Sequence, residues 1–178
     1  MSAFESVHGT DAWHFGLAHP QFAQAFNDAM TSIAGSIHRS ISDAYDFIEI
    51  ELLVDVVGGH GKLMQSILGR YPRLRGVVFE LPHVATQTQR LLDESPIAGR
   101  CRAIAGDFLT EIPVRADAYI MTAVLHDWHD EACRTILGNC RKAMQPHGRV
   151  LLGEFVFRYG SLAQSRAATL GAGCSSVQ

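Results

Sequence analysis

The segment Leu125-His126-Asp127-Trp128-His129-Asp130-Glu131 places a histidine among carboxylates. An imidazole, with an unperturbed pKa of about 6.5, can take a proton from a hydroxyl that is losing it in a transition state. His126 is therefore the candidate general base. Glu154 stands in the apolar run 149–157, expected as the strand beside the one that precedes His126, where it could orient or polarise the ring. The repeated His-Asp pairs are also metal-ligand types. Asp130, however, is expected to cap the following helix and no second histidine cluster is recognisable, so no metal is expected.

Three further segments suit a nucleotide-like cofactor. Val54-Asp55-Val56-Val57-Gly58-Gly59-His60-Gly61 joins an apolar run to a helical pattern. Glycines there let main chain approach a ligand, and the free N–H groups of a helix start favour polar or anionic groups. Glu80 follows Gly61 by nineteen residues, close to the interval at which a carboxylate takes a ribose diol in nucleotide-binding α/β folds. Gly106-Asp107-Phe108 ends another run; Asp107 could accept from an adenine amino group while Phe108 packs on the ring. Each has a plainer alternative: a tight turn without ligand, a solvated glutamate, a capping aspartate with a core phenylalanine.

The elements that must hold these residues follow from the apolar rhythm. Residues 1–50 carry helix signals: His19-Pro20 followed by Phe22, Ala23, Phe26, Ala29, Met30 and Ile33 at three- and four-residue steps, then a second helical stretch over about 33–45 with Gly35 at the join. From residue 51 short apolar runs alternate with helical patterns. Strands are expected over 52–57, 76–81, 101–105, 118–124 and 149–157, and helices over 61–71, 83–93 and 130–144. That alternation specifies a parallel sheet covered on both faces. In the last helix Cys133, Ile136, Leu137, Cys140 and Met144 form a 3.6-period stripe, with Pro146 and Gly148 beyond its end. The tail from Gly160 is rich in Gly, Ala and Ser and is expected to be poorly ordered.

The 178 residues suffice for one domain with a real core, at 47% hydrophobic and 19% charged. Fifteen basic against 18 acidic residues, a net charge of -3, provide no footprint for a nucleic-acid or anionic-lipid partner. No apolar run approaches a membrane span and the start lacks a signal pattern, so the expected location is the cytoplasm. Cys101, Cys133, Cys140 and Cys174 form no CxxC pair and read as reduced thiols, with Cys133 and Cys140 on one helix face as small apolar residues.

Together these motifs resemble the class I S-adenosylmethionine-dependent O-methyltransferases of the caffeate and hydroxyindole type, in particular the bacterial branch acting on aromatic polyketides and related natural products. VDVVGGHG is similar to the family's VDVGGGxG, GVVFELPHV to its acidic strand-two motif, GDF to its adenine motif, and LHDWHDE to the stretch with its catalytic histidine. FESVHGTDAW and FNDAM are similar to its linker and acceptor-pocket helices, so the resemblance spans about residues 4–156.

The resemblance implies an α/β fold: a Rossmann-like methyltransferase parallel sheet with flanking helices, in the order 3-2-1-4-5-7-6. Residues 1–50 would be a helical linker and acceptor-pocket segment, 51–158 a partial cofactor-binding domain and 159–178 a disordered tail. The family's final helix and two strands, and its N-terminal dimerisation domain, are expected to be missing, which would leave the fifth strand an unpaired apolar edge. The cofactor would be S-adenosyl-L-methionine, with Gly59 and Gly61 beneath its methionine part, Glu80 on the ribose, and Asp107 and Phe108 on the adenine. His126 would be the base with Glu154 behind it, and Trp13, Asn27 and Met30 would line the pocket for a small aromatic hydroxyl acceptor. Val57 stands where the motif has its first glycine; a β-branched residue there would crowd the cofactor or adopt an unfavourable backbone geometry. Thr122 stands where a lysine or arginine is usual, four residues before His126. Two other readings are a non-catalytic remnant serving as an interaction module, and a His/Asp metal hydrolase that would carry bound metal.

Overall fold

A computed structural model describes residues 3–10, 15, 18, 19, 21, 22, 25 and 38–154. The chain divides into two compact units, Met1–Ile37 and His38–Gln178. In the first, helix α1 (Ala3–His8) contributes Phe4 and His8 to a ring cluster. There Phe15 stacks on His19 at 3.8 Å and meets Phe22 edge-on at 5.2 Å. Residues 21, 22 and 25 of the expected amphipathic helix are helical; most of that helix, and its join at Gly35, lie outside the described residues, as does the tail.

The second unit starts with helix α2 (38–44). After it come β1 (Leu52–Val56), α3 (Lys62–Arg70), β2 (Arg75–Glu80), α4 (Pro82–Asp93), β3 (Cys101–Ala105), β4 (Ala116–Thr122), a 3-10 turn (Leu125–Asp127), α5 (Asp130–Ala143) and β5 (Met144–Gly153). The strands pair in the order β3-β2-β1-β4-β5, and every pair is parallel. This is the α/β sheet expected, and the five strands have the order expected of them. The cause is visible in the burial: Leu53 to Val56 of β1 and Gly76 to Glu80 of β2 are buried without interruption, as strands covered on both faces must be.

On one face Val54, Val56, Val77, Phe79, Tyr119 and Met121 meet Ile136 and Cys140 of α5. On the other, Met64 and Leu68 of α3 close over Gly76, where any Cβ would collide with Met64. Burying these side chains, at roughly 1.5–3 kcal/mol for each Val, Ile, Met or Phe, drives the assembly. Because all strands run the same way, their carboxyl ends share one edge. The strand order reverses between β1 and β4, and open α/β sheets bind ligands at that switch point.

Several boundaries differ from the sequence expectation. β4 starts at Ala116 and stops at Thr122; Ala123 turns left-handed at φ 55°, its N–H making a last bond to Gly153 O at 2.8 Å. β5 begins at Met144, directly after α5, rather than at Arg149. The connection expected around Pro146 and Gly148 is absorbed as an irregularity between the pairs Ala116–Met144 and Ala118–Arg149, which an edge position tolerates. Glu154, expected within that strand, comes one residue after its end. The cap of α5 is His129, whose Nδ1 accepts from the Ala132 N–H at 3.2 Å; Asp130 is instead the first helical residue, where its charge faces the positive helix end. Cys140 is buried as expected of its helix face, but Cys133 is only half-buried.

Candidate functional site

The glycine turn after β1 is built from left-handed residues. Val57 has φ 63°, Gly59 φ 53° and Gly61 φ 72°. For the two glycines this conformation carries no steric penalty, whereas for a β-branched side chain it is a true outlier costing roughly 1–3 kcal/mol. Of the two consequences expected at Val57, the unfavourable backbone is the one adopted: the side chain packs against the core cluster around Val56 and Phe79. The turn persists because it is tied from three sides. The Val57 N–H donates to Phe79 O at 2.9 Å, the Gly59 N–H to Glu80 Oε1 at 2.9 Å, and Thr88 Oγ1 to Gly59 O at 2.7 Å.

These ties place Glu80, 7% exposed at the end of β2, directly against the turn. Its Oε2 accepts from the Leu81 N–H at 3.0 Å. Each oxygen retains a free lone pair, which suits a diol. Asp55 lies under the same turn, 2% exposed, and a Cβ on Gly58 would run into its carboxylate. Its Oδ2 has no partner, and burial, reinforced by the Glu80 charge, pushes its pKa up to about 7. Above Gly59 there is open space: a Cβ there would meet nothing within 4 Å. Open room beside glycine main chain, a helix start and a poised carboxylate fit a nucleoside cofactor.

After β3, Asp107 shapes the loop 106–110. Its Oδ1 accepts from the Leu109 N–H at 2.8 Å, and Asp107 O takes the Thr110 and Glu111 N–H groups. The loop is pinned from below by Asn139 of α5, a buried amide whose Nδ2 donates to Phe108 O at 2.9 Å and Leu109 O at 3.2 Å. The Phe108 ring meets Trp128 edge to face, centroids 5.5 Å apart at 89°.

After β4 the chain turns through Ala123 into the 3-10 turn that carries His126. The His126 Nδ1 lies 2.8 Å from Glu154 Oε2. Glu154 Oε1 accepts from the Val124 and Leu125 N–H groups at 3.1 and 2.9 Å. A carboxylate only accepts, so Nδ1 carries the hydrogen, and in the neutral ring Nε2 is the nitrogen with the lone pair. Asp127 Oδ1 stands 3.5 Å from that Nε2. Both the ring and Asp127 are half-exposed, open to a ligand. Thr122, at the end of β4, has a buried Oγ1 without a partner.

The sheet thus brings His126, Glu154, Gly59, Gly61, Glu80, Asp107 and Phe108 to one edge. Trp13, Asn27 and Met30 lie outside the described residues. Three contributors escaped the sequence reading. Thr88 and Asn139 sit in helices where a polar residue on an apolar face was the available signal, and Trp128 was passed over inside the LHDWHDE cluster.

Comparison with known proteins gives the family. A family model described as an O-methyltransferase domain matches residues 1–172. The phenazine O-methyltransferase PhzM of Lysobacter antibioticus is 37% identical over 159 residues, covering 89% of this chain and 47% of that protein. The crystal structure of LaPhzM superposes with a TM-score of 0.82 at 37% identity, over 90% of this chain and 48% of the other. NcsB1, an O-methyltransferase from neocarzinostatin biosynthesis solved with S-adenosylmethionine and 2-hydroxy-5-methyl naphthoic acid, superposes with a TM-score of 0.77 at 30% identity, over 86% of this chain and 47% of that one. The chain spans about half the length of the curated relatives it matches. On the family match over residues 1–172, the chain belongs to the O-methyltransferase domain family.

Proposed function

We propose that this chain carries the S-adenosylmethionine-binding and catalytic part of an O-methyltransferase that methylates a hydroxyl of a small aromatic, polyketide-like acceptor, with His126 as general base. The observation that carries the reading is the 2.8 Å contact between His126 Nδ1 and Glu154, which leaves the Nε2 lone pair at a half-exposed position on the ligand-binding edge of the sheet. The relative named a phenazine O-methyltransferase, and the naphthoic acid held by NcsB1, support an aromatic acceptor.

In this reading Glu80 accepts the ribose hydroxyls, Asp107 accepts from the adenine amino group and Phe108 packs on the ring. Gly59 and Gly61 admit the methionine part close to main chain. The bound cofactor supplies an electrophilic methyl group on a sulfonium. His126 Nε2 removes the acceptor's phenolic proton, and the Glu154 carboxylate stabilises the imidazolium that results. Much of the acceleration comes from positioning, since both partners are held in one crevice. The reading assigns residues 51–158 to the cofactor domain, and keeps Trp13, Asn27 and Met30 as candidate acceptor-pocket residues by the family resemblance. No helix among the described residues is long and apolar enough to cross a membrane; the reading assigns the reaction to the cytoplasm and to secondary metabolism.

The test is thermal unfolding of the chain with and without S-adenosylhomocysteine. Ligand at about 100 times its Kd adds roughly 2.7 kcal/mol, a rise of several degrees at this size. The rise should be lost in Glu80→Ala. A wild-type transition that does not move overturns the reading.

A further inference from the structure

We propose that Trp128 is a positioning residue that couples filling of the adenine subsite to the placement of His126. The inference rests on the cofactor reading above and concerns a link between two of its subsites. Trp128 is the residue after the 3-10 turn, and its N–H donates to Leu125 O at 3.1 Å, closing the turn around His126. The ring is 38% exposed and sets its contact on Phe108 edge to face. Trp128 is thus joined through its main chain to the turn that carries His126 and through its ring to the loop that would take adenine.

The remaining connections between these segments are rigid. The main chain at Phe108 is held by the buried Asn139 amide of α5, and α5 is capped by His129, the neighbour of Trp128. Cys133 Sγ adds donor contacts to Leu125 O and Trp128 O at 3.4 and 3.5 Å. A closed circuit results: Phe108 backbone, Asn139, α5, His129, Trp128 ring, Phe108 ring. Hydrogen bonds and helix hold every side but the ring pair, which is the side a planar ligand on Phe108 would load. A base packed on Phe108 fixes that ring, the edge-to-face contact fixes the indole, and the indole sets the turn from which His126 projects. Glu154 holds His126 from one side and Trp128 steadies its backbone from the other. Coupling of this kind needs a contiguous set of packed and hydrogen-bonded groups, which these residues form.

The experiment is an NMR titration of the full isotope-labelled chain with adenosine, which carries the base and ribose but no methionine part. In the wild type the Trp128 indole N–H signal and the His126 ring signal should move together, with one half-saturation point. In Trp128→Leu, adenosine should still bind, weaker by no more than about tenfold, the factor set by loss of one ring pair. The His126 signal should then stay in place. Trp128→Phe, which restores an aromatic edge, should restore the movement. Phe108→Leu, titrated to saturation as followed by the remaining shifted signals, removes the other ring, leaves the turn's own sequence intact and should also silence His126. A His126 signal that moves undiminished in Trp128→Leu or in Phe108→Leu overturns the coupling while leaving the cofactor reading in place. A wild-type spectrum unmoved by both adenosine and S-adenosylhomocysteine overturns the cofactor reading and the coupling with it.

Discussion

The Glu154 carboxylate is shared between the His126 imidazole and the backbone of the turn that presents it: Oε2 meets Nδ1 at 2.8 Å, while Oε1 holds the Val124 and Leu125 N–H groups. One side chain therefore sets both the tautomer of the ring and the shape of the segment beneath it. The two residues are 28 positions apart and come together because β5 lies beside β4 in parallel register, with Thr122 opposite Gly153.

That sharing makes Glu154→Gln more informative than a truncation. The glutamine oxygen can still accept the two backbone N–H groups, but its amide faces Nδ1 with a donor and drives the hydrogen to Nε2, where the proposed base needs a lone pair. Methyl transfer to a phenolic acceptor should fall by about 10²–10⁴ in kcat, as it should for His126→Asn. S-adenosylhomocysteine affinity should be unchanged in both. Steady-state kinetics beside calorimetric titration checks this, and a Glu154→Gln enzyme with wild-type kcat would remove His126 from the role of base.

Asp55 predicts a pH dependence of stability. Its pKa is raised from 3.8 to about 7, first by burial and then by the neighbouring Glu80 charge, and Cys101 on β3 also feels its field. The folded chain binds this proton more tightly than the unfolded one. The contribution is therefore fully present below about pH 4, is lost as pH rises to about 7 and is flat above, with an amplitude on the order of 4 kcal/mol. Asp55→Asn should flatten this slope. Urea unfolding of both proteins between about pH 5 and 8 measures it, and parallel curves would mean that Asp55 is not the group responsible.

Two glycines should respond to alanine with opposite signs. At Gly58 a Cβ would collide with the buried Asp55 carboxylate, so Gly58→Ala should cost about 1–3 kcal/mol. At Gly138, inside α5, a Cβ would meet nothing within 4 Å, and Gly138→Ala should stabilise by roughly 0.5–1 kcal/mol. Melting temperatures of the two variants decide the matter.

The cysteines should separate by burial. Burial pushes Cys101 and Cys140 up to about 12, with the Asp55 charge adding at Cys101, so neither offers thiolate at neutral pH. Cys133 is half-buried near the chain surface. Peptide mass spectrometry after brief iodoacetamide treatment should find Cys133 alkylated and Cys101 and Cys140 protected until the chain unfolds. Early modification of Cys140 would contradict the packing of α5 on the sheet.

By itself the sequence determined the order of strands and helices from residue 51 onward, because apolar runs of strand length bounded by turn residues leave little choice of element. β3 was legible to the residue at Cys101–Ala105. Motifs that follow strand ends were equally legible: one parallel direction puts Gly59, Glu80, Asp107 and His126 on the same edge whatever the details. Local patterns alone could not settle helix caps and strand ends, which turn on a single backbone conformation; His129 rather than Asp130 caps α5 because its own backbone is extended there.

Only the tertiary structure decided which groups meet. Glu154 reaches His126, Glu80 reaches the Gly59 N–H and Asn139 reaches the Phe108 carbonyl across 28, 21 and 31 positions. Such contacts depend on register and on helix placement over the sheet, and the hydrophobic pattern that selects an element is indifferent to both. The same holds for Val57. A valine in a glycine motif posed two outcomes, and its left-handed φ of 63° follows from three hydrogen bonds and a core contact supplied by β2 and α4. Non-local bonds of that kind overrule a residue's own conformational preference, and no local window of sequence contains them.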